Sequence, residues 1–389
     1  MVPAMRRVKL LTVMTVGALL LAGLAFSFFT LSMPRAAHAS GQKIHKGFYA
    51  QTNLVSDLPH IARVQDKNLV NSWGLVHGPT TPWWVADNGT GVSTLYNGNG
   101  TPFPAGSPLV VTIPPPAGSP AGTTAAPTGI VFNGTNDFVV RANGKSGPSL
   151  FLFATEDGTI SGWNINVNPT RAIRVVDRSK VGSGAVYKGL AIGSSQGRDF
   201  IYATNFRFGT VEMFDANFHL VRSFTDNKLA HDCPLAGQCF APFGIRNIGG
   251  NLFVTFALQD DKKHDDVAGP GHGFVDIFST GGKLLSRFAA HGALNSPWGL
   301  TMAPGNFGPF SNDLLVGDFG DGRINVFNPD NGAFLGQLRN KAGKPITING
   351  LWGLDFGNGN LAGETDELFF AAGLNDEADG LFGKIQFEN

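Results

Sequence analysis

Six copies of one short signature, a glycine followed by Leu or Ile, constrain this chain more than any other feature: SWGL, PTGI, YKGL, PFGI, PWGL and LWGL. The glycines are Gly74, Gly129, Gly189, Gly244, Gly299 and Gly353, at separations of 55, 60, 55, 55 and 54 residues. This period exceeds the ~33–47 residues of helical solenoids. After each glycine come Val/Ile/Phe-rich runs bounded by Gly, Asn and Asp, such as FIYAT then TVEMFD and LLVGD then RINVFN. These are strand and hairpin patterns. Further runs at 109–113, 172–176, 220–224, 284–288 and 334–338 close the first five units, giving four strands per repeat.

Four antiparallel strands repeated at this period form one blade, and blades set radially bury faces that no single sheet could cover alone. The sequence therefore predicts an all-β fold, a six-bladed β-propeller. The sixth repeat ends after LFGKIQF (381–387) without a fourth strand, whereas FYAQTNLV (48–55) is strand-like and precedes the first signature. The N-terminal strand is expected to complete the last blade and close the ring. In the second repeat, FVVRA (138–142) and FLFAT (151–155) both fit a second strand. The Pro-rich stretch 113–127 preserves the repeat phase, so residues 40–389 read as one domain.

Residues 1–39 read as a signal peptide or N-terminal anchor. Arg6, Arg7 and Lys9 precede an apolar stretch from Leu10 to Leu31, and Ala37-His38-Ala39 fits a small-x-small cleavage site. The expectation is a secreted or cell-envelope, extracytoplasmic protein that meets a membrane only through this segment if it is uncleaved. In an oxidising compartment, the two cysteines, Cys233 and Cys239, are expected to form a local disulfide, with a free thiol pair as the alternative.

Charge narrows the partners. The 29 Lys and Arg cancel the 29 Asp and Glu, leaving no bulk field to attract nucleic acid. Antiparallel order puts the segment leading into each first strand and the turn between strands two and three on one face. Trp73, Thr128, Lys188, Phe243, Trp298 and Trp352, each one residue before its glycine, should ring one channel mouth. They read either as an aromatic platform for a ligand or as wedges between blades. The turns on that face add Asp87, Glu156, Asp157, Asp260, Asp261, Asp265, Asp266, Asp318, Asp321, Asp376, Glu377 and Asp379, an acidic set suited to cations. The insert QDDKKHDDVAGPGHG (259–273) concentrates Asp260, Asp261, Asp265 and Asp266 with His264 and His272. These aspartates are candidate ligands for Ca²⁺ or another divalent cation; Lys–Asp pairing in a solvated loop is the competing reading.

Units such as PWGLTMA followed by LLVGDFGDGRINVFN resemble NHL-type propeller repeats. The stretches NLVNSWGL, ATEDGTISGW, KHDDVAG, GFVDIF and LNSPWGL extend this to a resemblance, from about Asn53 to Gly383, with an uncharacterised family of exported bacterial propeller proteins. A more distant similarity is to gluconolactonase and regucalcin-like propellers. It implies a divalent ion at the channel mouth, held by groups such as Asp87, Asn205, Asp318 and Asn375. The pre-glycine positions depart from that pattern, and Lys188 adds positive charge. No Walker loop or zinc-protease motif occurs. The expected function is a monomeric binding module for a small molecule or an extracellular protein, using the acidic, aromatic channel face. The alternative is a metal-dependent hydrolase of the lactonase type.

Overall fold

The computed structural model describes residues 47–389. The expected signal peptide or anchor lies outside the described residues. Six sheets with strands in meander order surround a central axis. The innermost strands are Ser72–Val76, Pro127–Phe132, Tyr187–Ser195, Phe240–Ile248, Pro297–Met302 and Leu351–Phe356, and each carries a repeat glycine. The inner strands of blades six and one meet, so the ring is closed.

Closure follows the predicted route. Phe48–Ser56 pairs antiparallel with Asp379–Glu388, from Phe48 opposite Glu388 to Ser56 opposite Leu381. A short outer strand, Val64–Gln65, then runs parallel to it. In blade two, Phe151–Thr155 is the second strand, between Pro127–Phe132 and Thr159–Trp163. Val139–Ala142 instead pairs with Lys145–Pro148 in a separate hairpin, which accounts for the longer second spacing. Cys233 and Cys239 form a disulfide in the connection between blades three and four. Among the described residues, no helix is long and apolar enough to cross a membrane.

The invariant glycines have a steric cause. A side chain on Gly244 would place its Cβ 2.1 Å from the Trp298 carbonyl oxygen in the next blade, and one on Gly299 would lie 2.5 Å from that of Trp352. At Gly353 the neighbour is the Trp73 carbonyl, which carries the pattern across the seam. The blades approach backbone to backbone at the axis, where only glycine fits. Further out the sheets splay, and large side chains fill the wedge. Leu75, Trp83, Phe369 and Phe382 fill the gap between blades one and six, and Tyr202, Val254, Phe256 and Phe278 fill that between three and four.

Overpacking a tight backbone contact costs about 1–3 kcal/mol. Gly244→Ala is expected to lower the thermal midpoint by several degrees, while Gly305→Ala, in an exposed turn whose nearest non-neighbour atom is 3.5 Å away, leaves it within about a degree. Differential scanning calorimetry of the two variants checks this.

Candidate functional site

The pre-glycine aromatics come together, but inside the channel and from within the first strands themselves rather than from the segments leading into them. Trp73 and Trp352 stack with centroids 3.5 Å apart, and Phe319 stacks on Trp352 at 3.9 Å. Trp298 meets Trp73 and Trp352 edge-on, and Phe243 and Phe206 complete the cluster. Trp73 and Trp352 are 1% exposed and Phe243 is fully buried, so these rings plug the channel. They do not form an open platform, because rings pointing at one axis meet one another before they meet solvent. Trp298 keeps 9% exposure and donates its Nε1 hydrogen to the Lys188 carbonyl at 3.1 Å. Thr128 serves blade contact, donating to the Tyr187 carbonyl at 2.8 Å.

Lys188 lies between this plug and the acidic turns. Its side chain is buried, with Nζ 5.0 Å from the Trp73 ring centroid. The ammonium pairs with Glu156 from blade two and, at 3.1 Å, with Asp265 from blade four. Burial alone would depress its pKa; the Glu156 and Asp265 carboxylates outweigh burial and raise it, so Lys188 stays charged. His264 donates Nδ1–H to Asp265 at 2.8 Å, and this bond, with Lys188, holds the Asp265 carboxyl well below the usual range.

Blades one and six complete the cluster. Asn88 donates to Glu156 at 2.9 Å, and Asn71 donates to Asn88 at 3.2 Å and to Glu377 at 2.7 Å. Glu377 is pushed up to about 7, first by burial and then by Glu156 and Asp265, against the lowering effects of Asn71 and Lys188. It ends a run of three non-glycine residues in the left-handed region, Asn375 and Asp376 at φ 54° and Glu377 at φ 66°. Such a run is costly for L-residues.

Several sequence-predicted residues lie elsewhere. Asp87, Asn205 and Asp318 do not converge on the axis, because each is buried within its own blade and bonded to a residue seven positions on. Asp87 accepts from Thr94 at 2.8 Å, Asn205 donates to Glu212 at 3.1 Å, and Asp318 accepts from Asn325 at 2.6 Å. Burial raises Asp87 and Asp318 far above the ordinary carboxylate range, which favours neutral hairpin braces. Asn375 is exposed and bonds to Asp379 at 2.7 Å.

The four loop aspartates do not form one cation site. Asp260 caps its own loop by accepting from the His264 and Asp265 amides at 2.7 and 3.2 Å. Asp261 is exposed, and Asp265 turns in to Lys188. Burial raises Asp266. The loop instead contributes Asp265 and His264 to a group with Glu156 whose ligand atoms lie within 4.8 Å of one another. Three such ligands suit a divalent ion, but the Lys188 ammonium already bonds to two of them, so the set does not fit a metal while that lysine is charged.

Sequence reasoning missed Asn71, Asn88, Phe206 and Phe319. The last three have a signal: each directly follows the final residue of a second strand, at Asp87, Asn205 and Asp318, as Glu156 follows Thr155. Also missed was a cavity of about 400 Å³ on the other side of the plug, lined by the inner strands of all six blades.

Fold and site together define a six-bladed propeller with an aromatic channel plug and a charged polar cluster at one mouth. No family model matches the chain. It is 32% identical over 341 residues to "Uncharacterized protein R648" of Acanthamoeba polyphaga mimivirus, covering 85% of this chain and 78% of that protein. It is 31% identical over 340 residues to "Uncharacterized protein L690" of the same virus, covering 85% and 84%. The chain belongs to the family of these viral proteins. Among solved structures, streptogramin B lyase matches with TM-score 0.50 and 13% identity over 88% of this chain and 98% of that one. Virginiamycin B lyase from Staphylococcus aureus gives 0.48 and 12%, over 88% and 99%. At such identity the likeness is one of fold.

Glu377, raised from 4.5 to about 7 in the folded state, stabilises the fold fully below pH 4.5, and that contribution is lost as pH rises to about 7. Glu377→Gln should therefore flatten the stability profile across this window and raise stability at pH 8 by about 1–3 kcal/mol. Chemical denaturation at stepped pH measures both.

Proposed function

We propose that this protein is an extracytoplasmic, monomeric binding module whose acidic channel mouth takes a cationic group of a small molecule or of an extracellular protein. The observation that carries this reading is the convergence of Glu156, Asp265 and Glu377 from three different blades on a rigid plug, with one internal ammonium to offset them. Asp157, Asp260, Asp261 and Asp376 lie in the same turns and add to the negative potential. A second cation reaching the mouth meets carboxylates already fixed by Asn71, Asn88 and His264, so little ordering is lost on binding.

Spermidine and tri-lysine serve as probes in calorimetric titration. Saturable binding that weakens with salt, and falls about tenfold in Asp265→Asn/Glu377→Gln, is expected. No saturable binding of either probe, or equal affinity in the double variant, would sink the reading.

A metal-dependent hydrolase is the second reading, favoured only by the Glu156–His264–Asp265 grouping. The Lys188 pairing argues against it. Zn²⁺ should leave the wild-type melting temperature unchanged and raise that of Lys188→Met, which frees the three ligands. A wild-type shift of several degrees with Zn²⁺, Mn²⁺ or Ca²⁺ would reverse the preference.

A further inference from the structure

The channel cavity beyond the plug is a second, separate site. Trp298 of the plug is among its lining residues, and Val76, Ile130, Leu300 and Leu354 give its mixed wall apolar patches. Its volume of about 400 Å³ lies within the range of small-molecule pockets. The second position after each repeat glycine reads Val76, Val131, Ala191, Arg246, Thr301 and Asp355. Arg246 and Asp355 are the two charged residues in that column, on blades four and six, which are not neighbours. Arg246 crosses the channel to reach Asp355 at 2.7 Å and the Leu354 carbonyl at 3.3 Å.

The other polar groups in the wall are turned to the backbone. His77 Nε2 lies 2.8 Å from the Phe356 carbonyl oxygen, and Asn247 donates to the Ile192 carbonyl at 3.0 Å. Asp355 Oδ1 is shared among Arg246, the Thr301 hydroxyl at 3.2 Å and the Phe356 amide at 2.9 Å. A guanidinium has five N–H donors. Arg246 bonds to two partners and its side chain stays 35% exposed, so donors remain free to face the cavity.

We infer that this cavity binds a small, largely apolar molecule through a neutral carbonyl oxygen that accepts from Arg246. Asp355 neutralises the arginine and would repel an incoming carboxylate, so an uncharged acceptor fits better than an anion. The apolar body would lie against Val76, Ile130, Leu300, Leu354 and Trp298, displacing water from the wall. This site is on the opposite side of the aromatic plug from the acidic mouth and does not depend on the reading of that mouth.

Prodan, a neutral naphthalene ketone with environment-sensitive emission, is the probe. Saturable 1:1 binding to the intact protein is expected, with blue-shifted emission, energy transfer from tryptophan and a carbonyl infrared band lowered relative to apolar solvent. Arg246→Met, which keeps the side-chain stem, should weaken binding about tenfold or more. Val76→Trp should block the cavity and abolish binding, while Arg339→Met, an exposed arginine elsewhere, leaves it unchanged. Melting curves establish that each variant is folded, and the infrared band reads the hydrogen bond in wild-type protein without any variant. No saturable binding, an unshifted carbonyl band, or equal affinity in folded Arg246→Met or Val76→Trp would overturn the inference.

Discussion

The structure depends on the close approach of each repeat glycine to the backbone of the next blade. At Gly74, Gly244, Gly299 and Gly353 the nearest atom to a hypothetical Cβ is the carbonyl oxygen of the residue just before the next blade's glycine. Thr128, Trp298, Trp352 and Trp73 supply those oxygens. The same short segment therefore sets blade spacing and delivers a pre-glycine side chain to the axis. With spacing fixed by backbone contact, the channel width is fixed too, and what occupies it is decided by the six pre-glycine residues. Three tryptophans and Phe243 fill it, joined by Phe206 and Phe319 from the turns, and Lys188 caps the filling.

Lys188 shows how such a ring handles a buried charge. An unpaired ammonium at this depth would be costly or neutral. Here two carboxylates from blades on either side of its own, and the face of Trp73, replace the lost water. The cluster spans blades one, two, three, four and six, so it couples the positions of elements that share no sheet. The plug and this cluster divide the channel into two compartments of different character. One is acidic and lined by turns; the other is lined by strands and mixes apolar side chains with the Arg246–Asp355 pair.

Much of the fold was legible in the sequence because the glycine period reports a steric rule that every blade obeys. The closing strand was legible from bookkeeping of strands, since Asp379–Glu388 lacked an outer partner and Phe48–Ser56 lacked a blade. The site was legible only in part. Glu156, Asp265 and Glu377 were visible as turn acids, but the sequence does not show that Asp87 and Asp318 point into their own hairpins, because strand-end residues can face either the axis or the sheet. Whether an aromatic at the axis faces solvent or another aromatic depends on ring packing, and Trp73 against Trp352 was decided there. Arg246 and Asp355 were readable as the charged exceptions in an otherwise uncharged column, a signal that only emerges when the six repeats are aligned on their glycines.

The pairing of Phe48–Ser56 with Asp379–Glu388 has a consequence for how the chain reaches this shape. Phe48–Ser56 cannot form this pairing until Asp379–Glu388, more than three hundred residues further along the chain, has been made. Until then blade six lacks its fourth strand, and the apolar contact between blades one and six lacks Leu54 and Val55. Closure therefore joins strands more than three hundred residues apart in the chain, a non-local pairing whose loop-closure entropy must be met before the contact rewards it.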